Sequence, residues 1–237
     1  MSAEQGAGGA EANSSGTILV CFAVPEEANP FKKLIRAGQR VKIVLTGMGE
    51  ANAKTAVEAE LRGEKPGLVL SCGFAGGLRP GLETGKVLFS AEGDAALESA
   101  LTLAGAQSAR FYCATSVATT AIQKRGLRES TGADAIEMES QPICAICREQ
   151  SFRCATVRVI LDTAEEDLPL DFNQLMNARQ QMDYGKLALV LARSPGKLGA
   201  LLRLQKQSRA AAEALAAVLA RLLSNQATLV PPLKNVQ

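Results

Sequence analysis

Apolar residues along this chain come mostly in unbroken runs rather than in alternation with polar ones. The runs are "TILVCFAV" (17–24), "VKIVLT" (41–46), "GLVLSCG" (67–73), "KVLFSAE" (86–92), "RFYCAT" (110–115) and "CATVRVIL" (154–161). Short continuous runs rich in Val, Ile and Leu predict strands covered on both faces, as in a mainly parallel sheet. Between them the period changes. "GEANAKTAVEAELRG" (49–63) gathers small and apolar residues on one side of a helix and charges on the other. "DAALESALTLAG" (94–105) and "SQPICAICREQ" (140–150) predict shorter helices, with Pro142 in a first turn, where its missing N–H costs nothing. Long helical segments follow over 171–193 and 197–224, broken by "SPG" (194–196). Strands alternating with helices predict an α/β fold, a three-layer α/β/α sandwich around a mixed, mainly parallel twisted sheet. One domain is expected over 16–225. The Gly/Ala-rich lead 1–15 is expected to be disordered, and 226–237 reads as a tail. The two C-terminal helical stretches, 186–203 and 206–224, are expected to cover the core, a partner subunit or a lipid-like substrate being the other surfaces they could face.

Composition narrows the function. The 237 residues are 47% hydrophobic and 21% charged, enough for a core that needs no staples. A net charge of +2 without a basic stripe argues against nucleic acid. No apolar run is long enough to span a membrane, and the start lacks the pattern of a secretory signal, so a cytoplasmic location is expected. Of six cysteines, Cys21, Cys72, Cys113 and Cys154 lie in strand-like runs and read as small buried hydrophobes. Cys144 and Cys147 form a C-x-x-C inside an apolar helix. With no histidine and no second such pair, neither a metal nor a cofactor is implied. The absent imidazole also removes Ser-His-Asp and Cys-His catalysis, leaving carboxylates, Lys, Tyr or Cys for proton transfer.

Polar chemistry sits where strands end, the edge at which open α/β sheets bind ligands. Glu26 and Glu27 follow the first strand. The turn Gly47-Met48-Gly49 follows the second and lets backbone approach a ligand. Gly73, Gly76, Gly77, Gly81 and Gly85 crowd one connection between two strands. Glu137 and Glu139 flank Met138 at the end of an extended segment. A carboxylate can accept two hydrogen bonds side by side from a ribose diol, and a thioether can pack on a sugar face. Asp162 closes the last apolar run. Arg158, four residues earlier, needs a partner or a polar pocket in so apolar a setting.

"LTGMGEANA", "GFAGGLRPGLETGKV", "AIEMES" and "VRVILD" occur in the order and spacing of the nucleoside phosphorylase superfamily. The pattern, over about 17–223, is most similar to that of the 5'-methylthioadenosine/S-adenosylhomocysteine nucleosidases. It also resembles the hopanoid-associated phosphorylase-like proteins and the futalosine hydrolases. The resemblance implies that Glu27 (or Glu26, one residue off) activates water, and that Asp162 protonates a purine-type base as it leaves. It implies that Glu139, beside Met138, binds the ribose hydroxyls, that Glu137 and Met48 line the same pocket, and that backbone of Phe74, Ala75 and Gly76 lines the base and water site. A nucleoside substrate, possibly modified at its 5' position, and a homodimer follow from the same likeness. Three positions depart from the pattern. Leu161 stands where relatives carry a Ser that orients the Asp. Phe74 replaces a Ser. The segment 93–132 is short, with "TSVATT" (115–120) where the nucleosidases sandwich adenine. Arg40 and Arg79 are the nearest candidates for a phosphate site, and neither lies in a recognisable motif. Hydrolysis is therefore expected ahead of phosphorolysis. A non-catalytic nucleoside binder, or a C-x-x-C redox protein, are the alternatives of other kinds.

Overall fold

The computed structural model describes residues 16–63, 65–177, 182–224 and 229. The expected lead 1–15 and nearly all of the tail 226–237 lie outside these residues. Among the described residues eight strands form one mixed sheet: β1 (Ile18–Phe22), β2 (Val41–Leu45), β3 (Leu68–Gly77), β4 (Val87–Ser90), β5 (Gln107–Ser108), β6 (Phe111–Cys113), β7 (Ala135–Glu137) and β8 (Cys154–Asp162). The main order is β2-β1-β3-β8-β4-β5, and β7 pairs with both β3 and β6. β1/β2, β1/β3 and β3/β8 are parallel, whereas β4 and β7 run antiparallel to β8 and β3.

Side-chain alternation assigns the two faces. Ile18, Val20 and Phe22 of β1, Leu68 and Leu70 of β3, and Val157 and Val159 of β8 pack into one core. That core is closed by α1 (Pro25–Lys32), α3 (Ala95–Leu103) and α8 (Leu198–Leu223). Leu19, Cys21 and Val69 face the other way, against α2 (Glu50–Gly63) and α5 (Ser140–Glu149). The three layers expected from the sequence are present.

Four details differ from the expected elements. β3 does not stop at Gly73. It runs through Gly76 and Gly77 beside β8, so only Gly81 and Gly85, both at positive φ, lie in the connection to β4. Helix α4 (Ala121–Thr131) has almost no apolar face, and its only buried residue is Lys124. A capping box between Thr120 and Gln123 starts it, and a left-handed Gly132 ends it. The segment 171–193 is not one helix. It divides into α6 (Phe172–Leu175) and α7 (Tyr184–Arg193), with a bridge between Met176 and Met182 separating them. The expectation that 186–203 covers the core is overturned. α7 buries no residue, and the buried residues of α8 begin only at Ala211.

Candidate active site

Glu27 lies in the first turn of α1, just past the carboxyl end of β1, and is buried, while Glu26 beside it is exposed. Pro25 opens the helix, and the carboxylate curls back over its own N-terminus. Oε2 accepts hydrogen bonds from the backbone N–H of Ala23 (2.9 Å) and Val24 (3.3 Å), and Oε1 from that of Phe74 (2.8 Å). Three N–H donors favour the charged form. Burial outweighs them and the nearby Arg158, pushing Glu27 up to about 7.

The glycines of β3 make this meeting possible. A Cβ at Gly73, whose φ is +153°, would stand 2.6 Å from Arg158 Nη1 and 2.7 Å from Glu27 Oε1. At Gly76 it would stand 3.3 Å from Asp162 Oδ2. Glycine lets strand backbone lie directly against the charged groups.

Arg158, 1% exposed, is the cation at the centre. Nη2 donates to Glu137 Oε2 (2.6 Å) and Ser71 Oγ (3.1 Å), and Nη1 lies 3.3 Å from Glu139 Oε2. Glu137 also accepts from Glu139 N (3.0 Å), Ser140 N (2.8 Å) and Ser140 Oγ (2.6 Å), so it caps α5. Gly49 N donates to Glu139 Oε1 (2.8 Å), tying the Gly47-Met48-Gly49 turn to the cluster. Met48 and Met138 are half-buried beside it. One guanidinium cannot neutralise three carboxylates. The protonation equilibria divide accordingly. Burial pushes Glu137 up, yet Arg158 and Ser140 prevail and hold it below its usual range. Burial raises Glu139, against the pull of Arg158.

Asp162 ends β8 beside Gly76 and Gly77. Its partner is Lys124, which the sequence reading missed. Lys124 is 0% exposed, donates to Thr163 O (2.6 Å) and Glu166 O (2.7 Å), and forms an ion pair with Asp162 Oδ2. The ammonium acts on the carboxylate both as a nearby charge and as a side-chain hydrogen bond. Burial raises Asp162, and Lys124 opposes the rise. Leu161 packs against the main core. The orienting contact thus comes from a lysine on another element rather than from the preceding residue.

The segment 115–120 is tied to the chain that follows Asp162. Asn173 accepts from Val117 N and donates to Val117 O, both at 2.9 Å, and Leu168 N donates to Thr119 O (2.8 Å). Of the other expected site residues, Phe74 is half-buried and offers its N–H, and the Ala75 side chain lies in a small core with Leu88 and Ile160. Arg79 is 3.7 Å from Asp134. Arg40 sits beside Gly16 and its carbonyl accepts from Ile18 N, at the end of β1 remote from Glu27. Cys144 Sγ faces Cys154 Sγ at 3.2 Å, and all six cysteines are free. No group of residues able to hold a metal occurs among the described residues.

A sequence model of the phosphorylase superfamily matches residues 24–95 and 90–193. No curated protein sequence matches significantly. Among solved structures, a 5'-methylthioadenosine/S-adenosylhomocysteine nucleosidase from Colwellia psychrerythraea 34H, in complex with adenine, superposes with a TM-score of 0.66 at 16% identity, covering 93% of this chain and 98% of that one. The corresponding nucleosidase from Neisseria meningitidis, in complex with methylthio-immucillin-A, gives 0.64 at 18% over 87% and 98%. Futalosine hydrolase of Helicobacter pylori gives 0.60 at 15% over 86% and 97%.

Proposed function

The chain belongs to the phosphorylase superfamily, and from that premise we propose that it hydrolyses the N-glycosidic bond of a purine-type nucleoside. The observation that carries the reading is the convergence on one strand edge of Glu27, Glu139 and Asp162 around Arg158 and the β3 glycines. Breaking a glycosidic bond builds positive charge on the sugar, and buried carboxylates stabilise it. Glu27, poised near neutrality, suits the task of taking a proton from water. Glu139 and Met138 would hold the ribose. Asp162, which burial raises, would give its proton to the departing ring.

Hydrolysis is favoured over phosphorolysis on electrostatic grounds. A phosphate dianion needs unspent cations and N–H groups. Arg158 is shared by Glu137 and Glu139 and lies close to Glu27, Arg40 lies at the wrong end of β1, and Arg79 faces Asp134. A homodimer acting in the cytoplasm completes the reading. The test is a screen of nucleosides, including 5'-modified ones, for release of free base with and without phosphate. Release that ignores phosphate is expected. Release that requires phosphate makes the enzyme a phosphorylase, and an Asp162→Asn chain as active as the wild type removes the mechanism.

A further inference from the structure

Helix α8 has two unlike halves. From Ala211 onward it supplies eight buried residues to the core, while its first half buries none. Its C-terminal end is anchored where the parallel strands begin. Gln39 Nε2 donates to Leu223 O just ahead of β2, which runs parallel to β1. The first half therefore runs toward the opposite, carboxyl edge, where Glu27 and Asp162 lie. Its thirteen residues from Leu198 to Ala210 add about 20 Å at helical rise. α7 precedes it across a single 3-10 turn (Pro195–Lys197) and buries nothing.

This α7–α8 segment combines exposed apolar side chains with an excess of positive charge. Tyr184 (75% exposed), Leu189 (50%), Leu198 (48%) and Leu202 (57%) are half of the large exposed hydrophobics among the described residues. Leu198 and Leu202 stand one turn apart, with Lys206 on the next, and Leu189 lies between Lys186 and Arg193 on its own helix. From 184 to 212 the sequence holds Lys186, Arg193, Lys197, Arg203, Lys206 and Arg209 and no acid. Glu213 pairs only with Arg209. The whole chain is +2, so everything outside residues 184–212 is net negative.

We infer that the α7–α8 segment docks on an anionic lipid bilayer surface, lying in its interface with the leucines inserted and the cations at headgroup level. Amphipathic helices that mix exposed Leu and aromatic residues with Lys and Arg bind such surfaces by apolar burial plus attraction to anionic headgroups. A second copy of the chain is disfavoured as the occupant, because a symmetric contact would set six cations against six. No described helix is long and apolar enough to cross the membrane, so the association is peripheral. The site's strand edge and the first half of α8 lie at the same end of the molecule. Docking therefore brings the pocket close to the lipid surface. The inference rests on exposure and charge and stands whether or not the proposed chemistry does.

The experiment is co-sedimentation of the full chain with vesicles of phosphatidylcholine alone, and of phosphatidylcholine mixed with phosphatidylserine, at low and high salt. Two variants accompany it, Leu189→Ser/Leu198→Ser/Leu202→Ser and Lys197→Glu/Arg203→Glu/Lys206→Glu. Circular dichroism confirms that each is folded, and sedimentation velocity gives its oligomeric state. The wild type is expected on the anionic vesicles and not on the neutral ones, with salt releasing it. Reversal of three charges weakens binding roughly 100-fold or more, and the serine variant loses binding as well. Base release from a soluble nucleoside without vesicles is expected to be unchanged in both. Wild-type protein that stays in the supernatant, or binding that both variants retain, overturns the inference. So do variants that bind vesicles as before but fall from dimer to monomer, since the surface then belongs to a second copy.

Discussion

Replacing Lys124 by Met tests how Asp162 is held. Methionine keeps much of the length of lysine and removes the charge. In the wild type the ammonium serves Thr163 O at 2.6 Å, Glu166 O at 2.7 Å and the Asp162 carboxylate, all from a position with no solvent exposure. Removing one member of a buried ion pair leaves the other uncompensated, at about 3–5 kcal/mol. A typical domain has only about 5–15 kcal/mol in total. The pH dependence distinguishes a charge effect from lost packing. Burial already raises Asp162 above its ordinary 3.8, with Lys124 opposing. A raised carboxyl lowers stability as pH climbs from 3.8 through the folded value, and without the ammonium that value moves higher still. The variant's deficit should be smallest in acid near 3.8 and grow toward neutral pH. Urea unfolding followed by circular dichroism at several pH values measures it. In an Asp162→Asn background the same Lys124 change should cost less, by roughly 1–3 kcal/mol of coupling. A deficit that does not vary with pH, or that is the same in both backgrounds, refutes the reasoning.

Other outcomes follow from the same cluster. Glu27→Gln should lower base release by about 10²-fold or more. In the wild type the rate should fall as pH drops through about 7, because Glu27 must be ionised to accept a proton; a flat pH profile there would exclude it as the base. Gly73→Ala forces a Cβ against Arg158 and Glu27, and should cost stability by about 1–3 kcal/mol, read as a lower urea midpoint together with a loss of turnover. Arg158→Leu should destabilise the fold by about 3–5 kcal/mol, and Arg158→Lys should recover only part of that. A single ammonium cannot reach both Glu137 and Glu139 as the two guanidinium nitrogens do.

The elements that could be read from the sequence were those whose pattern has a local cause. β1, β3 and β8 are apolar without interruption because both faces are covered, and Glu27 and Asp162 drew notice because they close such runs. Lys124 could not be found that way. α4 is polar nearly throughout, and no periodicity marks which of its charged residues turns inward. Its capping box from Thr120 to Gln123 was the available signal, and it marks a helix start rather than a site. The β3 glycines were legible as close approach, but not as strand, since the groups that crowd them come from far along the chain. For 197–224 the amphipathic pattern is continuous, and nothing local records that the core beneath it ends near Ala211.

Arg158 draws together a helix start near residue 27, a strand end near 137 and the last long strand. Fragments of this chain should thus be inert, and loss of turnover and global unfolding should follow one denaturation curve, because the pocket exists only when segments far apart in sequence are held together.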